Sequence, residues 1–342
     1  MDVLFLMPLL LLDKLKNSKI NFIKMTKILI TGASGQLGSV LTEKLQQKYG
    51  VHNVIASDLR INPSFNGCFE VLDATDFDAL SEIVLKFEIT QIYHLAAILS
   101  ANGEKIPLNT WDINMKSFFN VLEVSRLTNI DKVFFPSSIA VYGNDAPKIE
   151  TPQNYVLAPS TVYGISKVAG ENWANYYYER YGLDIRSIRY PGVIGHQSLP
   201  GGGTTDYAID IFHKAVKNEV FECFLEATAT LPMIYMDDTI RATIELMEAP
   251  KENIKVRTSY NLSGMSFSPE QLTQSIQKIY PDFKIMYKPD FRQKIAESWP
   301  SSIDDSSARS DWNWKPQFDI DAMASVMIEE LKLKYITELK IS

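Results

Sequence analysis

Cysteine and histidine are scarce in this chain. Two cysteines, Cys68 and Cys223, stand far apart in 342 residues. A disulfide scaffold needs more, and the common zinc sites need closely spaced Cys or His pairs. The histidines His52, His94, His196 and His213 show neither HxxxH nor HxH spacing. The expectation is a reducing, cytoplasmic setting and no metal. Basic charge is also short: 34 Lys and Arg against 41 Asp and Glu leave −7. A global field for nucleic acid has the opposite sign, and no basic run stands out to build a local groove, so no nucleic-acid partner is expected. Gly and Pro are 16 each and charged residues 22%, values that exclude collagen-like and disordered chains. With 46% hydrophobic residues, the chain has enough material for a core without disulfides or structural metals.

No hydrophobic run is long enough to cross a bilayer. The strongest, Met1–Leu12 (MDVLFLMPLLLL), is too short for a spanning helix, and no membrane association is expected. Asp2 and the following DKLKNSK supply neither the leading positive charge nor the cleavage site of a signal peptide. No Arg precedes Arg60. Residues 1–24 read as a loosely attached or disordered extension, or as an upstream start. The alternative is a degenerate organelle leader, which would make the protein mitochondrial. Met25 stands directly before the first convincing strand.

From there a regular rhythm begins. Strands are expected at Lys27–Thr31, Asn53–Ser57, Phe69–Leu72, Gln91–Leu95, Lys132–Ser137 and Asp184–Arg189. Helical spacing of apolar residues marks Gln36–Lys48, Asp76–Phe87, Trp111–Leu127 and Thr161–Arg180. Alternation of this kind predicts an α/β fold with a doubly wound, parallel Rossmann-type sheet. After Pro191 the rhythm becomes irregular. The expected division is a nucleotide-binding domain over 25–195 and a smaller, mainly substrate-binding lobe over 196–342, with some segments returning to the first domain.

Ligands in such sheets bind outside the carboxyl ends of the strands. The first strand ends in Thr31-Gly32-Ala33-Ser34-Gly35-Gln36-Leu37-Gly38. This GxxGxxG turn opens a helix, whose N-terminus suits a pyrophosphate. Asp58 ends the second strand, 20 residues after Gly38, where a carboxylate takes the ribose hydroxyls of NAD and repels the 2′-phosphate of NADP. Arg60 nearby is the feature that would argue for NADP; the position of Asp58 favours NAD. Asp73 is either an adenine contact or a helix cap, with Thr75 and Asp76 as rival caps. The residues expected at NAD are Gly32, Gly35, Gln36, Leu37, Asp58, Asp73, Ala74, Leu95, Ala96, Tyr163, Lys167, Tyr190 and Val193.

Tyr163-Gly164-Ile165-Ser166-Lys167 places Tyr and Lys on one helix face. A phenol is a poor base at its ordinary pKa of about 10. An ammonium about 4–5 Å away stabilises the phenolate by roughly 3–4 kcal/mol at an effective dielectric near 20. The expected catalytic set is Tyr163, Lys167 and a hydroxyl from the Ser137-Ser138 pair, with either serine possible.

These residues resemble the extended short-chain dehydrogenases/reductases: TGASGQLG, ASD, YHLAA at Tyr93–Ala97, FPSSIAVYG at Phe135–Gly143 and YGISK. In that family Tyr163 would be the acid/base, Lys167 its partner and Ser138 the third member, with Asn114 in support. The second half narrows the likeness. Arg189-Tyr190-Pro191-Gly192-Val193-Ile194 replaces the Asn-bearing turn common in nucleotide-sugar epimerases. With Gly201–Ala208 (GGGTTDYA), Leu231–Asp238, Ser298–Asp305 and Ala308–Trp312, it is similar to the short-chain type of L-threonine 3-dehydrogenase. The resemblance implies oxidation of the threonine 3-hydroxyl by NAD to 2-amino-3-oxobutyrate, which can lose CO2 or be cleaved with CoA. It places Ser100, Thr204 and Thr205 with Ser138 and Tyr163 at the substrate; ordinary loop hydroxyls are the plain alternative for Ser100 and Thr204. Trp299 is either part of lobe closure or a core anchor, and Gly201–Gly203 either a hinge or a surface turn. It also implies a homodimer through the helices of Trp111–Leu127 and Thr161–Arg180. The competing reading is a nucleotide-sugar epimerase or dehydratase of the same family; a non-catalytic NAD-binding module would not need both Tyr163 and Lys167.

Overall fold

The computed structural model describes residues 25–62, 65–197, 199 and 203–341. The extension over 1–24 lies outside the described residues, as do two of the glycines in Gly201–Gly203. The first half contains β1 (Ile28–Thr31), α1 (Gln36–Tyr49), β2 (Val54–Asp58), β3 (Cys68–Val71), α2 (Phe77–Lys86), β4 (Gln91–His94), a single turn α3 (Ser100–Gly103), α4 (Pro107–Thr128), β5 (Lys132–Ser138), α5 (Val162–Tyr181) and β6 (Ile185–Tyr190). Every strand and helix expected from the pattern is present. The largest boundary difference is at α4, which begins at Pro107 rather than Trp111 because proline is tolerated in the first helical turn.

Continuing, the chain forms β7 (Gly192–Ile194), α6 (Tyr207–Val216), β8 (Phe221–Cys223), β9 (Leu231–Tyr235), α7 (Met236–Glu248), β10 (Tyr260–Asn261), β11 (Met265–Phe267), α8 (Pro269–Gln277), β12 (Ile285–Tyr287), α9 (Phe291–Ser298), α10 (Ser306–Trp312) and α11 (Ile320–Ile341).

The main sheet has seven strands in the order β10-β6-β5-β4-β1-β2-β3, and every pair in it is parallel. Its inner strands β1 and β5 carry short apolar runs because helices cover both faces. The strand order reverses at β1, which pairs with β2 on one side and β4 on the other. That is the crevice where α/β sheets take ligands.

Two smaller sheets, β11-β9-β7 and β12-β8, lie in the second half. They share a core with α6, α8 and α11 through Phe212, Phe267, Leu272 and Met327. The second half also returns to the first. Strand β10 extends the main sheet beside β6, and α7, Trp312 and Trp314 pack into the core of β1 and β2.

Candidate active site

The loop after β1 is built for close approach. Gly32 sits at φ +74°, and a Cβ there would lie 2.7 Å from the Ala96 nitrogen and 2.8 Å from its Cα. Only glycine meets both demands. Ala96 therefore forms the wall behind the loop. Asp58, at the end of β2, accepts from the Ser34 amide at 2.9 Å and the Leu59 amide at 2.7 Å. Those bonds fix its carboxylate beside the glycine turn. Asp73 accepts from the Thr75 amide and hydroxyl, while Asp76 caps α2 by accepting from Ala79. Asp73 is thus an Asx turn at the end of β3, and the cap reading belongs to Asp76.

Helix α5 begins at Thr161, whose hydroxyl accepts from the Gly164 amide at 3.1 Å. A Cβ on Gly164 would stand 2.2 Å from the Ala140 carbonyl oxygen. Glycine there lets the helix lie directly on the turn that follows β5, bringing Tyr163 to Ser138, with which it is hydrogen-bonded. The Ser138 hydroxyl also accepts from the Ala140 amide at 3.1 Å. Ser137 turns its hydroxyl away, donating to Glu171 at 2.6 Å. The pair is therefore divided: Ser138 faces the tyrosine and Ser137 faces a buried carboxylate.

Lys167 is 4% exposed. Its Nζ donates to the Pro136 carbonyl at 2.7 Å and lies 5.4 Å from the centre of the Tyr163 ring. Burial pushes this lysine down to about 7, with Glu171 opposing. Burial pushes the Tyr163 phenol up to about 12, against the Ser138 hydrogen bond. This reverses the direction expected from a neighbouring ammonium, because burial of the phenol itself disfavours its charged form. His94 is buried below them, between the hydroxyls of Thr31 at 2.8 Å and Ser117 at 3.4 Å. Burial, and then the Lys167 charge, depress it to about 3.

A cleft of about 340 Å³ joins these parts. Gly32, Gly35, Gln36, Leu37, Leu95, Ser137, Ser138, Tyr163, Lys167, Tyr190 and Val193 line it, as do Ser100, Thr204 and Thr205. Asp58, Asp73, Ala74 and Ala96 do not line it. Asp58 and Ala96 stand around the glycine loop, and the Ala74 carbonyl is bound by Asn120. Asn114 holds the Ile98 backbone through both of its amide atoms, which places the segment leading to Ser100. Gly192 explains Thr205: a Cβ at 192 would meet the Thr205 methyl at 2.7 Å and the Met233 sulfur at 2.4 Å. Trp299 closes the cleft while being 7% exposed and part of the small-lobe core. It is both anchor and wall.

The glycine turn at a switch point, with Asp58 at the next strand end, fits a dinucleotide. The unpaired side-chain nitrogen of Gln36 leaves a donor at the same cleft. Among the described residues, no group of acidic, Cys or His side chains could hold a metal ion, and no helix is long and apolar enough to cross a membrane.

Comparison with known proteins agrees with this geometry. Residues 28–263 match the model of the NAD dependent epimerase/dehydratase family. The chain belongs to that family. An uncharacterized epimerase/dehydratase of Staphylococcus aureus (strain MRSA252) is 47% identical over 315 residues, 91% of this chain and 98% of the relative. Among solved structures, the holo form of a GalE-like L-threonine dehydrogenase from Cupriavidus necator is 52% identical, with a TM-score of 0.89, covering 90% of this chain and 100% of that one. A monomeric L-threonine 3-dehydrogenase from a metagenome is 48% identical, with a TM-score of 0.87, covering 90% and 99%. As a member of this family the chain is an NAD-dependent enzyme.

The sequence reading missed Glu171, Arg189 and Tyr142, which form a buried network behind Lys167. The signal was there in part, since Lys167 and Glu171 are one helical turn apart. The strand arginine that completes the network comes from another element.

Proposed function

We propose that this chain is a cytoplasmic L-threonine 3-dehydrogenase, oxidising the 3-hydroxyl of L-threonine to 2-amino-3-oxobutyrate in threonine catabolism. The observation that carries the reading is the cleft itself. Tyr163, Ser138 and Lys167 line it together with Ser100, Thr204 and Thr205. It contains polar groups for a small amino acid, and among the described residues no arginine lines it for the diphosphate of a nucleotide sugar. The likeness to L-threonine dehydrogenases over nine-tenths of the chain supports the same substrate.

Gly32, Gly35, Gln36 and Leu37 would hold the pyrophosphate side of NAD, Asp58 the adenosine ribose, Asp73 and Ala74 the adenine end, and Leu95, Tyr190, Val193 and Lys167 the nicotinamide end. When bound, NAD supplies the hydride acceptor and a positive charge beside the phenol. Ser138 orients the substrate hydroxyl, and Tyr163 takes its proton as phenolate. Lys167 provides the resident positive charge that lowers the phenol from its buried value. Trp299 and the small lobe exclude water from the reacting carbon. The division of labour is a cofactor domain over 25–195 and a substrate lobe over 196–342, with β10 and α7 returned to the first.

Two copies are proposed to associate through α4 and α5. Trp173 and Tyr176 on α5 are 40% and 47% exposed; Trp173 packs edge to face with Tyr176 and with Phe119 of α4, an aromatic surface suited to an interface. The test of function is NADH absorbance with purified protein, NAD and a panel of L-threonine, L-allo-threonine, L-serine and UDP-sugars. Turnover confined to threonine-like substrates supports the reading. Turnover of a UDP-sugar with none of threonine overturns it in favour of an epimerase or dehydratase. Light scattering of the same sample reads the dimer.

A further inference from the structure

Behind the site, one buried carboxylate is paired with Arg189 and lies one helical turn from Lys167. Glu171 follows Lys167 by one turn of α5 and is 1% exposed. Its Oε1 accepts from the Ser137 hydroxyl at 2.6 Å and from Arg189 Nε at 2.9 Å, and its Oε2 accepts from Arg189 Nη2 at 2.7 Å. Lys167 Nζ is bonded to the carbonyl of Pro136, the residue before Ser137. The lysine and the glutamate of α5 are thus tied to consecutive residues of β5.

The other groups around Lys167 carry no negative charge. From β5 it meets the Phe135 ring, 4.6 Å from Nζ, and the Pro136 carbonyl. From β4 it meets His94, which stays neutral. From α4 the nearby side chain is Asn114. From its own helix it meets Tyr163. Arg189, on β6, has its guanidinium on Glu171, Tyr142, Asn261 and the Gln153 carbonyl. Among the described residues around the lysine, Glu171 is the one anion.

We infer that Glu171 is a positioning residue that keeps Lys167 in its ammonium form and so sets the pH range over which Tyr163 works as a base. Without the carboxylate, Lys167 and Arg189 would both lose the anion that favours their charged forms. Arginine does not give up its proton in a protein, whereas a buried lysine does. Lys167 would therefore be the one to neutralise, and the phenolate would lose its resident counter-charge. Glu171 touches neither substrate nor cofactor in this scheme; it acts through Lys167.

This inference rests on the proposed base role of Tyr163, but it can be read without the substrate. The experiment is NMR of protein labelled at lysine Cε, with the Lys167 resonance assigned by its absence in Lys167→Met, titrated with and without NAD. In Glu171→Gln the Lys167 midpoint is expected to fall by about one to two pH units. In the activity assay, kcat/KM at pH 7 should fall about ten- to a hundredfold, and the deficit should shrink at higher pH, where the lysine is neutral in both proteins. Glu171→Asp, which keeps the charge, should retain most of the wild-type profile. An unchanged Lys167 titration in folded Glu171→Gln overturns the inference. So does a loss of activity that is equal at every pH, which a structural role alone would produce. If Glu171→Gln does not fold, Glu171→Gln/Arg189→Gln removes both charges of the pair. That variant is expected to show a smaller fall of the same sign, and no fall overturns the inference. If wild-type protein fails to oxidise threonine while the Lys167 midpoint still shifts, the substrate reading fails and the inference stands.

Discussion

Strand β6 carries two buried arginines whose surroundings are alike in chemistry and different in consequence. Arg186, near the amino end, is 1% exposed and pairs with Asp184 at 2.8 Å. It donates to the carbonyls of Leu246, Met247 and Ala249, where α7 ends. Arg257 joins the same aspartate at 2.7 Å. Arg189, near the carboxyl end and on the opposite face of the strand, pairs with Glu171 behind Lys167. Both clusters satisfy buried charges, and breaking either leaves an uncompensated ion in the interior. Only the second lies at the end of the sheet where ligands bind. Position along a parallel strand, rather than ion-pair strength, separates a fastening from a part of the chemistry.

The comparison can be sharpened by mutation, beginning with the largest effect. Tyr163→Phe removes the base and should lower kcat by about a thousandfold or more. NAD affinity, measured by calorimetry, should stay within about threefold, and a variant that oxidises threonine at near wild-type rate would dismiss Tyr163. At the other end of β6, Arg186→Met leaves Asp184 with Arg257 alone and strands the carbonyls of α7. It should destabilise the fold by about 3–5 kcal/mol in urea titration and leave the pH profile of the remaining folded enzyme in place. A shifted profile there would break the distinction between the two clusters.

His94 gives the next effect. The folded protein keeps its imidazole neutral down to about pH 3, whereas an exposed imidazole titrates near 6.5. The unfolded chain therefore binds the extra proton first. This contribution is complete above pH 6.5 and declines as pH falls toward 3, by up to about 1.4 kcal/mol per pH unit. Urea midpoints between pH 7 and 4 check it, and a His94→Gln variant should flatten the slope. Gly32→Ala should weaken NAD binding about tenfold or more, since the new methyl meets Ala96 and the positive φ disfavours it. The smallest change is expected for Asp58→Ala, about tenfold in the ratio of NAD to NADP use, read from kcat/KM with each cofactor.

Much of the first half was legible from the chain alone. Short apolar runs alternating with helical spacing gave most strands of the main sheet, because a parallel sheet covered on both faces selects for such runs; β6, with its two arginines, was read from the rhythm alone, and β10 was not read. Asp58 was legible because it ends the strand that follows the helix opened by the glycine turn. The second half was less so. Nothing local distinguishes β10, two residues long, from a loop; it is a strand because β6 offers it an edge. Trp312 and Trp314 sit late in the chain yet fill the core of the first half, a contact that no spacing encodes.

The same division holds within the site. The sequence by itself determined the glycine turn, the Tyr163/Lys167 pairing on one helix face and the strand-end serines, since each depends on backbone conformation or on neighbours within a turn. Tertiary structure decided which serine faces the phenol, why Gly192 must stay small beside Thr205, and that Lys167 has Glu171 and Arg189 behind it. Those outcomes depend on side chains from different elements meeting in a water-poor interior. There, burial sets the charge state of a lysine as strongly as its own chemistry does.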